Sequence, residues 1–494
     1  MDKAEVKQIA LQMSTREDLL ALLNRIKLEK IRELGLETNK FYPFTMKHLL
    51  YYCNPNNTFH RYRLFKIKKK SGGFREISAP RNQSFLMLLQ VVNEILKAMY
   101  IPSDHAMGFA EGRSVVTNAD VHKGQNYVFN IDLKDFFPSV VQGRVMKRLT
   151  LAPFNFSPQI ALLISGLCSM RVKRDKPNEH KHHELDKHFK YVLPQGAPTS
   201  PIITNMICDT LDRRLNGLAK RFGLHYTRYA DDITFSSMHN VYANKGEFRK
   251  ELVRIIEGQG FAINDSKTRL QKIGSTQEVT GIIISQKLNV TKNYVREIRS
   301  LLHIWEKYGY SVAISKFLPK YKDEKGYVKK GNPDLINVLD GKLMYLKMVK
   351  SDTDSVYLKL NTKFQELIKR DSMPNKTNTV GITYIETIPV VEFEKINQTE
   401  VTIIKKNGKP RYGEFFLRDI KDEHGKSVVQ WTSVSKKITE EDESNKENLV
   451  ISNCRGVDGK QFWQIHYADK VTISTPKKVN IDELNNELDS LLII

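Results

Sequence analysis

Tyr226-Thr227-Arg228-Tyr229-Ala230-Asp231-Asp232-Ile233-Thr234-Phe235 is the stretch on which the fold turns. Tyr226 and Arg228, then Ile233 and Phe235, alternate across two short runs, which predicts a β-hairpin over 225–236 with Asp231-Asp232 at its tip. An isolated Asp-Asp pair is ordinarily just a turn, because Asp bonds its own neighbouring backbone there. A second stretch changes that reading. Tyr127-Val128-Phe129-Asn130-Ile131-Asp132-Leu133 is a short apolar run carrying an acid near its end, the pattern of a buried strand. Two adjacent acids at a strand tip, close to an acid from another strand, repel one another unless cations hold them. Two magnesium ions about 3.5–4 Å apart would do so.

Three more stretches surround these acids. Asp132-Leu133-Lys134-Asp135-Phe136-Phe137-Pro138-Ser139 follows the buried strand, and Leu193-Pro194-Gln195-Gly196-Ala197-Pro198-Thr199-Ser200-Pro201 lies between it and the hairpin. Upstream, Lys70-Ser71-Gly72-Gly73-Phe74-Arg75 joins two short alternating runs. With Tyr229-Ala230-Asp231-Asp232 as a YxDD box, these four motifs in this order resemble those of reverse transcriptases. The resemblance implies an α+β, right-hand polymerase fold of fingers, palm and thumb, and an RNA-directed DNA polymerase. It also implies roles. Asp132, Asp231 and Asp232 would hold two magnesium ions, which activate a 3′-hydroxyl and steady the leaving pyrophosphate. Arg75, with Lys68 beside it, would grip triphosphate, since guanidinium offers a planar fork to phosphate oxygens. Phe137 matches the aromatic gate that excludes ribonucleotides, and Gln195 with Gly196 would line the nucleotide pocket. Lys267, in Asn264-Asp265-Ser266-Lys267-Thr268, matches the lysine that protonates pyrophosphate.

Two smaller elements narrow the branch. Asn118-Ala119-Asp120-Val121-His122 fits an Asn-Ala-x-x-His element, and Val279-Thr280-Gly281 a Val-Thr-Gly element, both characteristic of retron reverse transcriptases, which the chain resembles over 45–370. The likeness implies a dedicated noncoding RNA serving as template and primer, synthesis from a 2′-hydroxyl, a branched RNA–DNA product, and a part in anti-phage defence with an effector protein. Asn118, His122, Val279, Thr280 and Gly281, with Arg296 and Arg299 on a basic-edged helix over 291–305, are the expected RNA or primer contacts. Deoxynucleoside triphosphates are the expected substrates, and a homo-oligomer is left open. The competing assignment is a defence-associated reverse transcriptase that makes repeat or homopolymer DNA, in some members primed by protein; a third is a catalytically silent RNA-binding scaffold.

Composition agrees with a nucleic-acid partner. The chain has 494 residues with Lys+Arg 78 and Asp+Glu 56, a formal charge of +22. That surplus favours a polyanion without choosing a fold. Four cysteines, with no close pair, suit a reducing compartment and exclude a disulfide scaffold. No apolar run approaches the roughly 18 residues of a membrane span, and no signal core opens the sequence, so a cytoplasmic protein is expected. Residues 1–40 read as an N-terminal helical extension, with Ser14 and Glu17 at capping-box spacing. Fingers and palm are expected over 41–285, a helical thumb over 286–372, and an appended β-rich domain over 373–494. Helices are expected over 84–99, 158–171, 203–222 and 481–492. His180, His182, His183 and His188 read as a solvated loop rather than a zinc site, having no cysteines nearby.

Overall fold

The computed structural model describes residues 1–35, 41–69, 72–174, 188–325 and 333–372, with the backbone of six strands between 383 and 467. The chain forms two compact units, the first built mainly from Met1–Lys292 and the second mainly from residues beyond it.

The first unit is organised around one strand. β1 (Tyr62–Lys68) and β2 (Phe74–Pro80) form an outlying hairpin, whereas β3 (Tyr127–Lys134) is central. β4 (Met170–Lys173) pairs with β5 (Phe189–Val192), and β6 (His225–Tyr229), β7 (Asp232–Ser237), β8 (Ala262–Ile263) and β9 (Arg269–Lys272) complete the main sheet. Its order is β6-β7-β3-β8, with β9 also on β3, and every pairing is antiparallel. Val128, Phe129, Asn130 and Ile131 are all buried, because helical layers cover β3 rather than leaving a solvated face. Phe129 stacks on Tyr242 and meets Phe248 edge-on, and Phe248 packs on Phe235 of β7. β10 (Gln277–Val279) and β11 (Ile282–Ile284) form a separate tight hairpin.

Helices over Gln83–Met99 and Ser200–Arg221 supply much of the apolar core. The first is capped by Asn82, whose side chain accepts the Phe85 N–H at 2.8 Å, and buries Phe85, Leu88, Val92, Ile95 and Met99 at helical spacing. The second begins with Pro201 in its first turn and buries Ile203, Met206, Ile207, Leu211, Leu215 and Leu218.

Local readings shift in three places. The N-terminal capping box is Thr15 with Asp18, not Ser14 with Glu17: the Asp18 carboxylate accepts both the Ser14 and Thr15 N–H, and these bonds pull its pKa down to about 2. A further helix, Lys3–Gln12, precedes it. The helix expected over 158–171 ends at Leu167 and gives way to β4, because buried Arg61 donates to the carbonyls of Gly166 (3.1 Å) and Ser169 (2.5 Å) and so terminates it.

In the second unit a helix over Lys292–Tyr308 buries Ile298, Leu301, Leu302 and Trp305, and the Trp305 indole donates to Asp371 at 2.6 Å. Strands Thr383–Pro389, Leu449–Arg455 and Gln461–Tyr467 form one antiparallel sheet, and Glu394–Ile396, Glu414–Lys421 and Ser427–Val434 another. The helix expected over 481–492 and the histidines before His188 lie outside the described residues. Among the described residues no helix is long and apolar enough to cross a membrane.

Candidate active site

The β-ladder brings two of the three acids face to face. Asp132 of β3 is the direct antiparallel partner of Asp232 of β7, and the Leu133 N–H donates to the Asp231 carbonyl at 2.9 Å. Directly opposed residues project to the same side of a sheet. The turn between β6 and β7 is tight, and Ala230 takes a left-handed backbone (φ 58°) that costs a residue with a Cβ about 1–2 kcal/mol.

What holds that turn lies behind it. Arg228, fully buried, donates Nε and Nη2 to the two oxygens of Asp212 at 2.7 Å each, Nη2 to Asn205 at 3.1 Å, and Nη1 to the Ala230 carbonyl at 3.1 Å. Tyr226 Oη adds a bond to Asp212 at 2.7 Å. On the other side, Gly108 touches the turn so closely that a Cβ there would lie 2.6 Å from the Ala230 nitrogen. Sequence reasoning missed Arg228, Asp212 and Gly108. A charge at Arg228, inside an otherwise alternating strand, was the signal available.

Electrostatics separate the three acids. Burial, followed by the charge of Asp231, pushes Asp232 up to about 7. Burial and then Asp132 raise Asp231, against the opposing pull of Lys267 and Arg75. Asp132 is better served: Lys267 Nζ lies 2.8 Å from its Oδ2, Asn264 Nδ2 donates to Oδ1 at 3.2 Å, and the Asn264 N–H donates to its backbone carbonyl at 2.8 Å. Among the described residues no three ligating side chains close into a metal cage. Asp231 and Asp232 are half-buried and are held above the usual carboxylate range by burial and like charge, and an all-oxygen donor set of this kind fits hard divalent cations.

The other residues expected in the pocket lie on the β1–β2 hairpin, on the loop over 193–201 and just after β3. In β2 Arg75 is exposed and pairs across the hairpin with Ile67; Lys68 is exposed at the end of β1. Lys70 and Ser71 lie outside the described residues. The Ser78 N–H of β2 donates to the Gln195 carbonyl at 2.8 Å. Gly196 has φ 125°, and a Cβ there would meet Ile77 Cγ2 at 2.8 Å, so glycine is what allows the fingers hairpin to press on this loop. Phe137 is half-buried, with its ring against Phe136.

Three residues of the two smaller elements are corrected. Asn118 and Val279 are buried at 1% and 0% exposure and His122 at 0%, so they hold the protein together rather than touch a bound strand. His122 bonds Ser236 of β7 and Thr227 of β6 at 2.7 Å each, bracing the hairpin that carries the acids; burial lowers its pKa to about 3, which keeps it neutral. The elements meet across 162 residues: Asn118 Nδ2 donates to Thr280 Oγ1 at 3.3 Å. Thr280 (φ 48°) and Gly281 (φ 84°) are the two central residues of the β10–β11 turn, whose backbone demands positive φ at both. Gly281 is exposed there. Arg296, half-buried, and Arg299, exposed, belong to the second unit.

Comparison with known proteins agrees with this geometry. The reverse transcriptase (RNA-dependent DNA polymerase) family profile matches residues 67–295, a span containing all three acids. The chain is 35% identical over 249 residues to the retron Mx65 reverse transcriptase of Myxococcus xanthus, and 32% identical over 286 residues to the retron Mx162 reverse transcriptase of the same organism. These matches cover 50% and 55% of this chain and 57% of each relative, so the chain spans little more than half their length. Against the retron Ec86 reverse transcriptase of Escherichia coli it is 33% identical over 246 residues, 49% of this chain and 69% of that protein. With a third of its positions shared across more than two thirds of that relative, and with its acids on paired strands, the chain belongs to the retron reverse transcriptases.

Proposed function

We propose that this chain is an RNA-directed DNA polymerase that copies a dedicated noncoding RNA into DNA in the cytoplasm, as part of an anti-phage defence system with an effector protein. The observation that carries the reading is the direct pairing of Asp132 with Asp232, with Asp231 adjacent in the turn. Residues 41–285 would serve as fingers and palm, 286–372 as thumb, 1–40 as a helical extension and 373–494 as an appended β-rich domain. Bound between Asp132, Asp231 and Asp232, two magnesium ions would activate the attacking hydroxyl and stabilise charge on the leaving pyrophosphate.

The chain's own residues do the positioning. Arg75 reaches triphosphate oxygens from the fingers hairpin, with Lys68 nearby. Gln195 and Gly196 shape the nucleotide pocket through their contact with β2. Phe137 closes the sugar side. Lys267, paired with Asp132 at 2.8 Å, is in reach to deliver a proton to pyrophosphate. Arg296 and Arg299 present a basic helix edge to RNA, with affinity that salt should weaken steeply.

The test is to purify the full chain with its bound nucleic acid, sequence that nucleic acid and map its covalent ends. DNA joined through its 5′ end to an RNA 2′-hydroxyl supports the reading; DNA joined to a Tyr or Ser side chain supports the protein-primed alternative. A chain that carries RNA but makes no DNA with any divalent cation would leave only a scaffold.

A further inference from the structure

Phe109 is a large aromatic with a left-handed backbone (φ 61°), a conformation bulky residues avoid. Its ring is 44% exposed, so burial does not repay the strain. Strain of this kind persists where surroundings over-determine it, and it concentrates at functional sites. Here the surroundings are firm. The Met107 N–H donates to the Arg228 carbonyl at 2.8 Å, Asn205 Nδ2 donates to the Gly108 carbonyl at 3.0 Å, and Gly108 rests on the backbone of Tyr229 and Ala230. The segment before Phe109 is therefore pinned to the turn that carries Asp231 and to the buried arginine behind it.

Among the described residues the Phe109 ring has one aromatic neighbour. Its centroid lies 6.3 Å from that of Phe137, tilted by 46°. Phe137 in turn lies 5.5 Å from Phe136, which is 4% exposed and stacks on Phe261 at 5.7 Å. Phe137 thus has two ring neighbours, Phe136, which is buried, and Phe109, which is exposed and strained. We propose that Phe109 is a positioning residue for sugar selection: from the open side it holds the Phe137 ring in place, so that the gate cannot tilt away and admit a 2′-hydroxyl. This rests on the reading of Phe137 as the gate of a DNA polymerase and adds a residue outside the polymerase motifs. Coupling through Gly108 also ties the gate to the catalytic turn, so one buried network sets both the acids and the selectivity.

The experiment uses the full chain with its copurified RNA and measures kcat/KM for each deoxynucleoside triphosphate and its ribonucleotide counterpart. Phe109→Gly suits the backbone, because glycine accepts φ 61°, and is expected to melt no lower than wild type. It should lower the deoxy-to-ribo ratio about 10-fold, through improved ribonucleotide KM rather than slower deoxynucleotide turnover. Phe137→Val should lower the ratio more, up to about 100-fold, the range over which an apolar wall rejects an added hydroxyl. Phe109→Tyr, which keeps the ring, should retain the wild-type ratio. A wild-type ratio in Phe109→Gly beside a reduced one in Phe137→Val overturns the proposal alone. An unchanged ratio in both overturns it together with the gate.

Discussion

Two clusters of charge meet at one hairpin and are built on opposite terms. Arg228 and Asp212, 0% and 1% exposed, are mutually satisfied: both carboxylate oxygens accept the guanidinium, and Tyr226 and Asn205 take further bonds. At the tip of the same hairpin Asp231 and Asp232 are also largely enclosed, yet burial and like charge raise both, Asp232 to about 7. The first cluster is complete as folded. The second is a donor set that fits cations from outside, and raised acids of this kind are how a protein stores electrostatic capacity for chemistry.

The comparison can be broken first at its open half. Replacing Asp231 and Asp232 together by Ala should lower DNA synthesis by about 10³-fold or more, while RNA retention on a filter stays at the wild-type level. In cation-free buffer the sign for stability is opposite. Because native Asp232 holds its proton to about 7 and the unfolded chain releases it near 3.8, wild-type stability falls as pH rises between those values. Asp232→Asn should therefore melt higher than wild type at pH 8 with chelator, and should lose the stabilisation that added magnesium gives the wild type.

The closed half should behave in reverse. Arg228→Met leaves Asp212 buried and unpaired, an expected loss of about 3–5 kcal/mol in denaturant unfolding, and activity should fall because Ala230 loses its donor. Combining it with Asp212→Leu should restore much of the stability and little of the activity. That separation would show the network acting on the turn rather than on the core alone.

A smaller effect probes the brace between β6 and β7. Native His122 stays neutral down to about pH 3, whereas in the unfolded chain it protonates below its ordinary 6.5. Its contribution is therefore whole above 6.5 and is lost as pH falls towards 3, amounting to about 2 kcal/mol at pH 5. Urea unfolding at pH 7.5 and pH 5 should show that loss, and His122→Gln should flatten it. Smallest is Asn118→Ala, which removes the bond to Thr280 and should cost about 1 kcal/mol with RNA affinity unchanged. A large drop in RNA affinity at constant stability would return Asn118 to the RNA surface.

Much of the site was legible before any coordinates. The alternation Tyr226, Arg228, Ile233, Phe235 and the apolar run ending at Asp132 are local patterns, and strands with this periodicity bury one set of side chains wherever they pair. The glycine at 196 was legible as part of a motif, but its reason, the Ile77 side chain 2.8 Å from where a Cβ would sit, was not. Asn118 and His122 illustrate the limit more sharply. The residues carry the same letters whether they face RNA or the interior, and only the ladder that places Thr227 and Ser236 beside His122 distinguishes the two.

By itself the sequence determined most of the elements, the candidate acids and the family, because hydrophobic period and motif order are properties of neighbours along the chain. Register was decided in three dimensions: pairing Asp132 with Asp232 depends on hydrogen bonds between strands a hundred residues apart. So was the division of charge into a closed pair and an open triad. Burial and the company of other charges set what an ionisable group does, and both exist only once distant segments have packed.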